Sequence, residues 1–141
     1  MIREVKLTDA VAIQRLNAEC LGYDFGKEAT EIQLKRLLEN DQHIILVAEE
    51  DEQIVGYIHA ASYDCLYFSP LLNLLALAVS PDFQGKGHGR ALMEALREKG
   101  KAAGYTGIRI NSGISRTKAH AFYRGLGCHE KADQKRFYWE F

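Results

Sequence analysis

The stretch from Leu72 to Met93 constrains this chain more than any other. An apolar run, Leu72-Asn73-Leu74-Leu75-Ala76-Leu77-Ala78-Val79, is long enough for a buried strand and stops at Pro81. The chain then passes through Gln84-Gly85-Lys86-Gly87-His88-Gly89-Arg90 and resumes apolar positions at helical spacing from Ala91. That order is strand, glycine loop, helix. Glycines at 85, 87 and 89 let the backbone take positive φ and approach a ligand closely, while the following helix offers unpaired N-terminal amides and the positive end of its dipole. Such a loop is a pocket for phosphate oxygens. A nucleotide P-loop would need Gly, four residues, then Gly-Lys-Ser/Thr, whereas here Ser80 stands five positions before Gly85-Lys86 and Gly87 follows it. A dinucleotide G-x-G-x-x-G fingerprint fails as well, because Arg90 or Leu92 falls where its third glycine belongs.

At 141 residues the chain is expected to form a single domain, 1–141, that buries roughly two-thirds of its unfolded surface. Its 18 basic and 19 acidic residues give a formal charge of -1, with no basic run of the kind that nucleic-acid binding needs. No apolar segment is long enough to span a bilayer, and no N-terminal basic segment leads into an apolar stretch, so a cytoplasmic protein without membrane or nucleic-acid partners is expected. Cys20, Cys65 and Cys128 are odd in number and widely spaced, which reads as free thiols. The histidines fall into no metal-ligand spacing, so no metal is expected and they read as scattered surface residues.

Taken in order, Ile2 to Lys6 alternates as a first strand, and Thr8-Asp9 caps a helix with Ile13, Leu16 and Cys20 on one face. A loop, Tyr23-Asp24-Phe25-Gly26, leads to a second helix in which Thr30 and Gln33 have capping-box spacing. His43 to Glu49 and Ile54 to Ser62 form a hairpin, with Gly56 marking a bulge, a close approach or a plain strand glycine. An aromatic connection, Tyr63 to Pro70, either roofs a pocket or caps the core. After the glycine loop come a helix ended by Gly104, a strand at 107–111, a helix from about Arg116 to Leu126, and two last strands, the second being Arg136-Phe137-Tyr138-Trp139-Glu140-Phe141. The order β-α-α-β-β-β-α-β-α-β-β implies a three-layer α/β/α fold around a mixed sheet.

Gln84-x-x-Gly87-x-Gly89 resembles the pyrophosphate-binding signature Q/R-x-x-G-x-G/A of the GNAT superfamily of acyl-CoA-dependent N-acyltransferases. About thirty residues on, Ala119-His120-Ala121-Phe122-Tyr123-Arg124-Gly125-Leu126-Gly127 is similar to that family's second signature, A-x-x-F-Y-x-x-x-G-F/Y, with Cys128 in place of the usual aromatic. The resemblance implies a GNAT-like α/β/α domain with a central mixed, mostly antiparallel sheet, acetyl-CoA as cosubstrate, and often a homodimer. It further implies that the pantetheine arm pairs with the backbone of Leu77 and Val79, and that pyrophosphate meets the amides of Gln84, Gly85, Lys86, Gly87, His88, Gly89 and Arg90. A backbone N–H near Leu77 or Ala78 would hold the oxyanion, Asn111 would reach the pantetheine, and Arg116 or Lys118 would meet the 3′-phosphate.

In the resemblance Tyr123 lies beside the thioester sulfur, where a phenol of pKa about 10 acts as general acid to the leaving thiolate. The reaction implied is direct transfer of an acetyl group to a primary amine in a ternary complex. A base is harder to name, because Leu74 to Ala78 carries no carboxylate and Asn73 cannot take a proton. The task falls to water or to Asp24, Glu28, Asp64 or Tyr57. Aromatics and acids in 23–25 and 63–68 suit a small cationic amine, such as a polyamine, an aminoglycoside-like sugar or an amino acid, with a protein lysine or N-terminus as the other possibility. The missing strand carboxylate also fits a non-catalytic acyl-CoA-binding regulatory module.

Overall fold

The computed structural model describes every residue from Met1 to Phe141. Its elements are β1 (Ile2–Glu4), α1 (Ala10–Leu16), α2 (Lys27–Leu38), β2 (His43–Glu50), β3 (Gln53–Tyr63), β4 (Leu71–Val79), α3 (His88–Ala102), β5 (Ile108–Arg109) and α4 (Thr117–Gly125). The strands lie in one sheet in the order of the chain, antiparallel throughout except for the parallel pair β4 and β5. The chain divides into two compact units, Met1–Asn111 and Ser112–Phe141.

In the first unit, strand alternation sorts the apolar side chains onto two faces. Ile45, Val47, Tyr57 and Ala78 face Ala10, Ile13 and Leu16 of α1 and Leu34 of α2. On the other face Leu46, Ile58 and Leu72 are fully buried, as are Leu92 and Leu96 of α3, which packs across β2, β3 and β4. A Cβ at Gly100 would come within 2.8 Å of Leu72 Cδ1, so helix and strand meet there with no room for a methyl group. Helices thus cover both faces of a mixed, mostly antiparallel sheet.

The β2–β3 hairpin turns at Asp51 (φ 51°) and Glu52 (φ 64°), both left-handed, as a two-residue type I′ connection requires. Two bulges follow. Ala48 pairs with Gly56 and Glu49 with Ile54, leaving Val55 as an extra residue in β3. Likewise His59 pairs with Ala76 and Ala60 with Leu74, leaving Leu75 unpaired in β4 and half exposed. Gly56 meets a close approach, since a Cβ there would lie 2.9 Å from the carbonyl oxygen of Ala78.

Several local expectations are corrected. Asp9 precedes α1, but its carboxylate makes no side-chain cap to that helix; it is buried, accepts two bonds from the Arg3 guanidinium (2.9 and 3.0 Å) and one from the Lys6 N–H (2.8 Å). Helix α2 begins three residues before Thr30, whose hydroxyl donates to the carbonyl of Gly26 at 2.7 Å. Beyond α1 the backbone continues as a π-helical turn, Asn17–Leu21, closed by left-handed Gly22.

In the second unit α4 ends at a left-handed Gly127 (φ 94°), with the Cys128 N–H returning to the Tyr123 carbonyl at 3.1 Å. Residues 128–141 carry no regular secondary structure, so neither of the two final strands is present. Phe137, Tyr138, Trp139 and Phe141 are almost fully exposed. Strand propensity without a ladder partner does not hold a strand.

Candidate active site

Past its bulge, β4 has one open edge. It pairs with β5 only at Leu72 and Asn73, opposite Ile108 and Arg109, so from Leu74 to Val79 no strand pairs with it on that side. The Ser80 N–H donates toward β3, to Val55 at 2.7 Å, while the Val79 carbonyl points away and accepts from Gln84 Nε2 at 3.0 Å and Cys20 Sγ at 3.3 Å. Residues two apart in a strand turn their backbone groups to the same edge, so Leu77 offers its N–H and C=O beside those of Val79. Burial of the Ala78 side chain against α1 and α2 fixes that orientation. The β4–β5 splay is held at its root by Arg109, which donates to Asn73 Oδ1 at 3.1 Å and lies 4.6 Å over the Tyr63 ring. With its amide oxygen turned inward, Asn111 also accepts from Arg109, at 3.0 and 3.3 Å, so its side chain is engaged there.

The open edge ends at the glycine loop. Gly85 (φ 78°) and Gly87 (φ 89°) take left-handed conformations that a side chain would strain. Gly89 differs: it lies in the first turn of α3 with an ordinary helical φ. A Cβ at 85 or 87 would meet nothing within 4 Å, so the space beside each glycine is open. The amides of residues 85–90 make no backbone bonds; the first to return is that of Ala91, to Gly87 at 2.9 Å. Around this rim His88 Nε2 meets Glu50 Oε2 at 2.7 Å, Lys86 Nζ lies 4.7 Å over the Phe83 ring, and Arg90 pairs with Glu94 at 2.9 Å. A row of free amides at the start of a four-turn helix fits the oxygens of a pyrophosphate.

On the face of the sheet covered by α1 and α2 lies a cavity of about 210 Å³, lined by residues that include Asn17, Phe25, Gln33, Tyr57 and His59. Tyr57, though buried, donates its hydroxyl to Asn17 Oδ1, and burial pushes its pKa up to about 12. Of the four residues considered as a base, only Tyr57 reaches the cavity. Asp24 is exposed and accepts from Gln14 Nε2 (2.9 Å) and the Gly26 N–H (3.3 Å); Glu28 and Asp64 are exposed, the latter accepting from Ser62 at 2.9 Å. His59 was missed. It is half-buried rather than superficial, and its Nε2 lies 2.8 Å from Nδ1 of His43. Period-two spacing from Tyr57 was the available signal. The aromatic connection lies elsewhere: Tyr63 stacks on Phe68, and Leu66 and Tyr67 point outward.

In the second unit Tyr123 is half-buried on α4, edge-on to Phe122, and burial raises its pKa, with Cys128 adding and Arg116 opposing. Its hydroxyl makes no bond within the protein, yet it is not sealed off, since Ser112 Oγ is the sole buried side-chain polar atom without a partner. Arg116 is exposed at the start of α4.

The profile of the acetyltransferase (GNAT) family matches residues 10–128. The chain belongs to the GNAT family. Among GNAT relatives, it is 27% identical over 135 residues to the uncharacterized N-acetyltransferase YhfO of Bacillus subtilis, covering 92% of this chain and 89% of that one. Mycothiol acetyltransferase of Streptomyces bingchenggensis is 34% identical over 105 residues, which span 72% of this chain but only 33% of that protein. The aminoglycoside acetyltransferase AAC(6')-Iy, solved with a CoA bisubstrate analogue, superposes with TM-score 0.86 at 21% identity, over 100% of this chain and 97% of the other. That likeness is one of fold. GNAT membership makes the chain an acetyl-CoA-dependent acetyltransferase by class. No helix is long and apolar enough to cross a membrane.

Proposed function

We propose that this GNAT domain, residues 1–141, moves the acetyl group of acetyl-CoA to the primary amine of a small molecule by direct transfer in a ternary complex. The open β4 edge carries the reading: six residues from Leu74 to Val79 have no strand partner on one side and lead into the free amides of residues 85–90. An extended arm pairs with such an edge as an added strand would. Leu77 and Val79 would bind the pantetheine backbone, the N–H of Leu77 rather than that of Ala78, which turns toward β3, would hold the oxyanion, and the loop from Gly85 to Arg90 would bind pyrophosphate with Gln84 bracing it. Arg116 would meet the 3′-phosphate, and Asn111 would act through Arg109.

Tyr123 would hand its phenolic proton to the leaving thiolate; burial keeps that proton in place at neutral pH. The acceptor class rests on likeness: the AAC(6') structure is of an enzyme on an aminoglycoside, a small-molecule amine. Thermal unfolding with acetyl-CoA, and with ATP and NAD as controls, tests the loop, because only a ligand of the native state raises the midpoint. Thiol release with an amine panel tests transfer. Binding with no thiol release above hydrolysis would replace the reading with a non-catalytic acyl-CoA-binding module.

A further inference from the structure

Two spaces lie side by side in the first unit. The cavity of about 210 Å³ beside β3 is one; the other is a groove of about 550 Å³ between the ends of α2, β2 and α3. Leu37 and Ile45 line both and form the wall between them. His59 lines only the cavity and His43 only the groove, and across the wall their rings meet at 2.8 Å. Register explains the meeting. Ile45 stands directly opposite His59 in the β2–β3 ladder, so His43, two residues away, is the diagonal neighbour on the same face.

We propose that the cavity seats a small primary monoamine as the acetyl acceptor, and that His59 takes its ammonium proton and passes it to His43, which releases it into the groove. The proposal rests on the acetyl-transfer reading above. The amine proton goes to His59 Nδ1 while the Nε2 hydrogen of His59 moves to Nδ1 of His43 and the Nε2 hydrogen of His43 leaves to water. Both rings end neutral. The freed lone pair forms the N–C bond to the acetyl carbonyl as the C–S bond breaks; Tyr123 gives its proton to the thiolate, and the second proton, shed by the adduct nitrogen as it becomes the amide, returns Tyr123 to the phenol. Neither Nδ1 of His59 nor Nε2 of His43 is bonded within the protein, and neither is a sealed buried atom, so both ends of the relay are open.

The surroundings keep both rings uncharged, as the relay requires. Burial lowers the pKa of His59 to about 4 with His43 contributing, and burial and then Arg36 of α2 lower that of His43. Tyr57 faces His59 from its own strand as a neutral phenol, and Glu4, Asp41 and Lys99 line the groove that receives the proton. No carboxylate lines the cavity. At roughly 30 Å³ for each water it would hold about seven, the scale of a compact monoamine, and its lining offers no carboxylate to the second ammonium of a polycation.

The test is kcat at saturating amine, from pH 6 to 9, with small monoamines, spermidine and an aminoglycoside as acceptors. The wild type is expected to favour the monoamines with a flat profile. His59→Gln, which keeps a side-chain amide for His43 but cannot relay, is expected to lose about a hundredfold in kcat at pH 7. Its rate should climb roughly tenfold per pH unit toward the amine pKa, because only pre-formed free amine reacts. His43→Gln should steepen the profile in the same sense, and it serves if the first variant does not fold. Acetyl-CoA affinity should be unchanged in both. Wild-type profiles in the folded variants, or preference for the polycations, would overturn the relay and its acceptor. Bound acetyl-CoA with no amine acetylated by the wild type would overturn the transfer reading itself, and the relay with it.

Discussion

Gln84 Nε2 donates to the carbonyl of Val79 across 3.0 Å, so the first residue of the glycine signature bonds back to the strand that precedes it. The side chain ties the end of the open β4 edge to the start of the loop, fixing the angle between two surfaces that must serve one ligand. Cys20 shares the same acceptor from the π-helical turn at 3.3 Å, so the corner keeps one bond when the other is lost.

Gln84→Ala is therefore expected to weaken acetyl-CoA binding severalfold while costing only about 0.5–1.5 kcal/mol of stability, the worth of one ordinary hydrogen bond. Calorimetric titration beside thermal unfolding separates the two quantities. Equal affinities would show that the loop holds its shape unaided.

Two glycine substitutions should split affinity from stability in opposite ways. Gly87→Ala meets no atom within 4 Å but forces a Cβ onto φ 89°, a local strain of roughly 1–2 kcal/mol at the amides that face the ligand. Gly56→Ala drives a Cβ to 2.9 Å from the Ala78 oxygen and should cost more stability, in the range of about 1–3 kcal/mol for overpacking. Denaturant midpoints and acetyl-CoA titrations on both proteins check the crossing.

Tyr123→Phe is expected to lower kcat at least about tenfold with acetyl-CoA affinity unchanged. Because burial raises this phenol above its ordinary value of 10.0, the alkaline limb of wild-type kcat should lie above pH 10. A limb at lower pH would assign it to another group.

Asp9 governs acid stability. Its burial alone would raise its pKa, but bonds from Arg3 and the Lys6 N–H outweigh that and hold it below the ordinary 3.8. A depressed folded-state value means that the stabilisation is complete above the unfolded pKa and drains away as pH falls through the folded one. Unfolding free energy should accordingly drop below about pH 4, and Asp9→Asn should abolish that dependence. The variant should also lose stability at pH 7, near the lower end of the roughly 3–5 kcal/mol for breaking a buried pair, since Arg3 keeps 20% of its side-chain surface in water.

Glu52→Gly should stabilise the protein by about 0.5–1 kcal/mol, because Glu52 holds φ 64° in a turn that favours glycine at its second position. Thermal unfolding is sufficient to read it.

Much of this was legible from residue order because the relevant constraints are local. Gly85 and Gly87 are glycines because the backbone there is left-handed, and Gly127 stops α4 for the same reason. Gly89 fits the motif without needing that freedom, so the pattern was right where one of its reasons was not. What could not be read depends on register. The His43–His59 contact exists because Ile45, not Ile44, stands opposite His59, and the open edge exists because β5 leaves β4 after two pairs. Asp9 looked like a cap because the pairing of Arg3 with it spans a strand end, a turn and a helix start. Residues 136–141 have strand composition, but composition supplies no partner.

Gly56 leaves one more mark. Its missing side chain lets β3 sit against the Ala78 carbonyl, with Leu92 of α3 3.4 Å from where a Cβ would be, so the backplate behind the open edge is jammed at its tightest point. Phe25 and Gln33, by contrast, reach the cavity from a loop and a helix on its outer side. Descendants of this sequence could change their diet of amines by redecorating that outer wall, while the hairpin behind it stays closed to innovation.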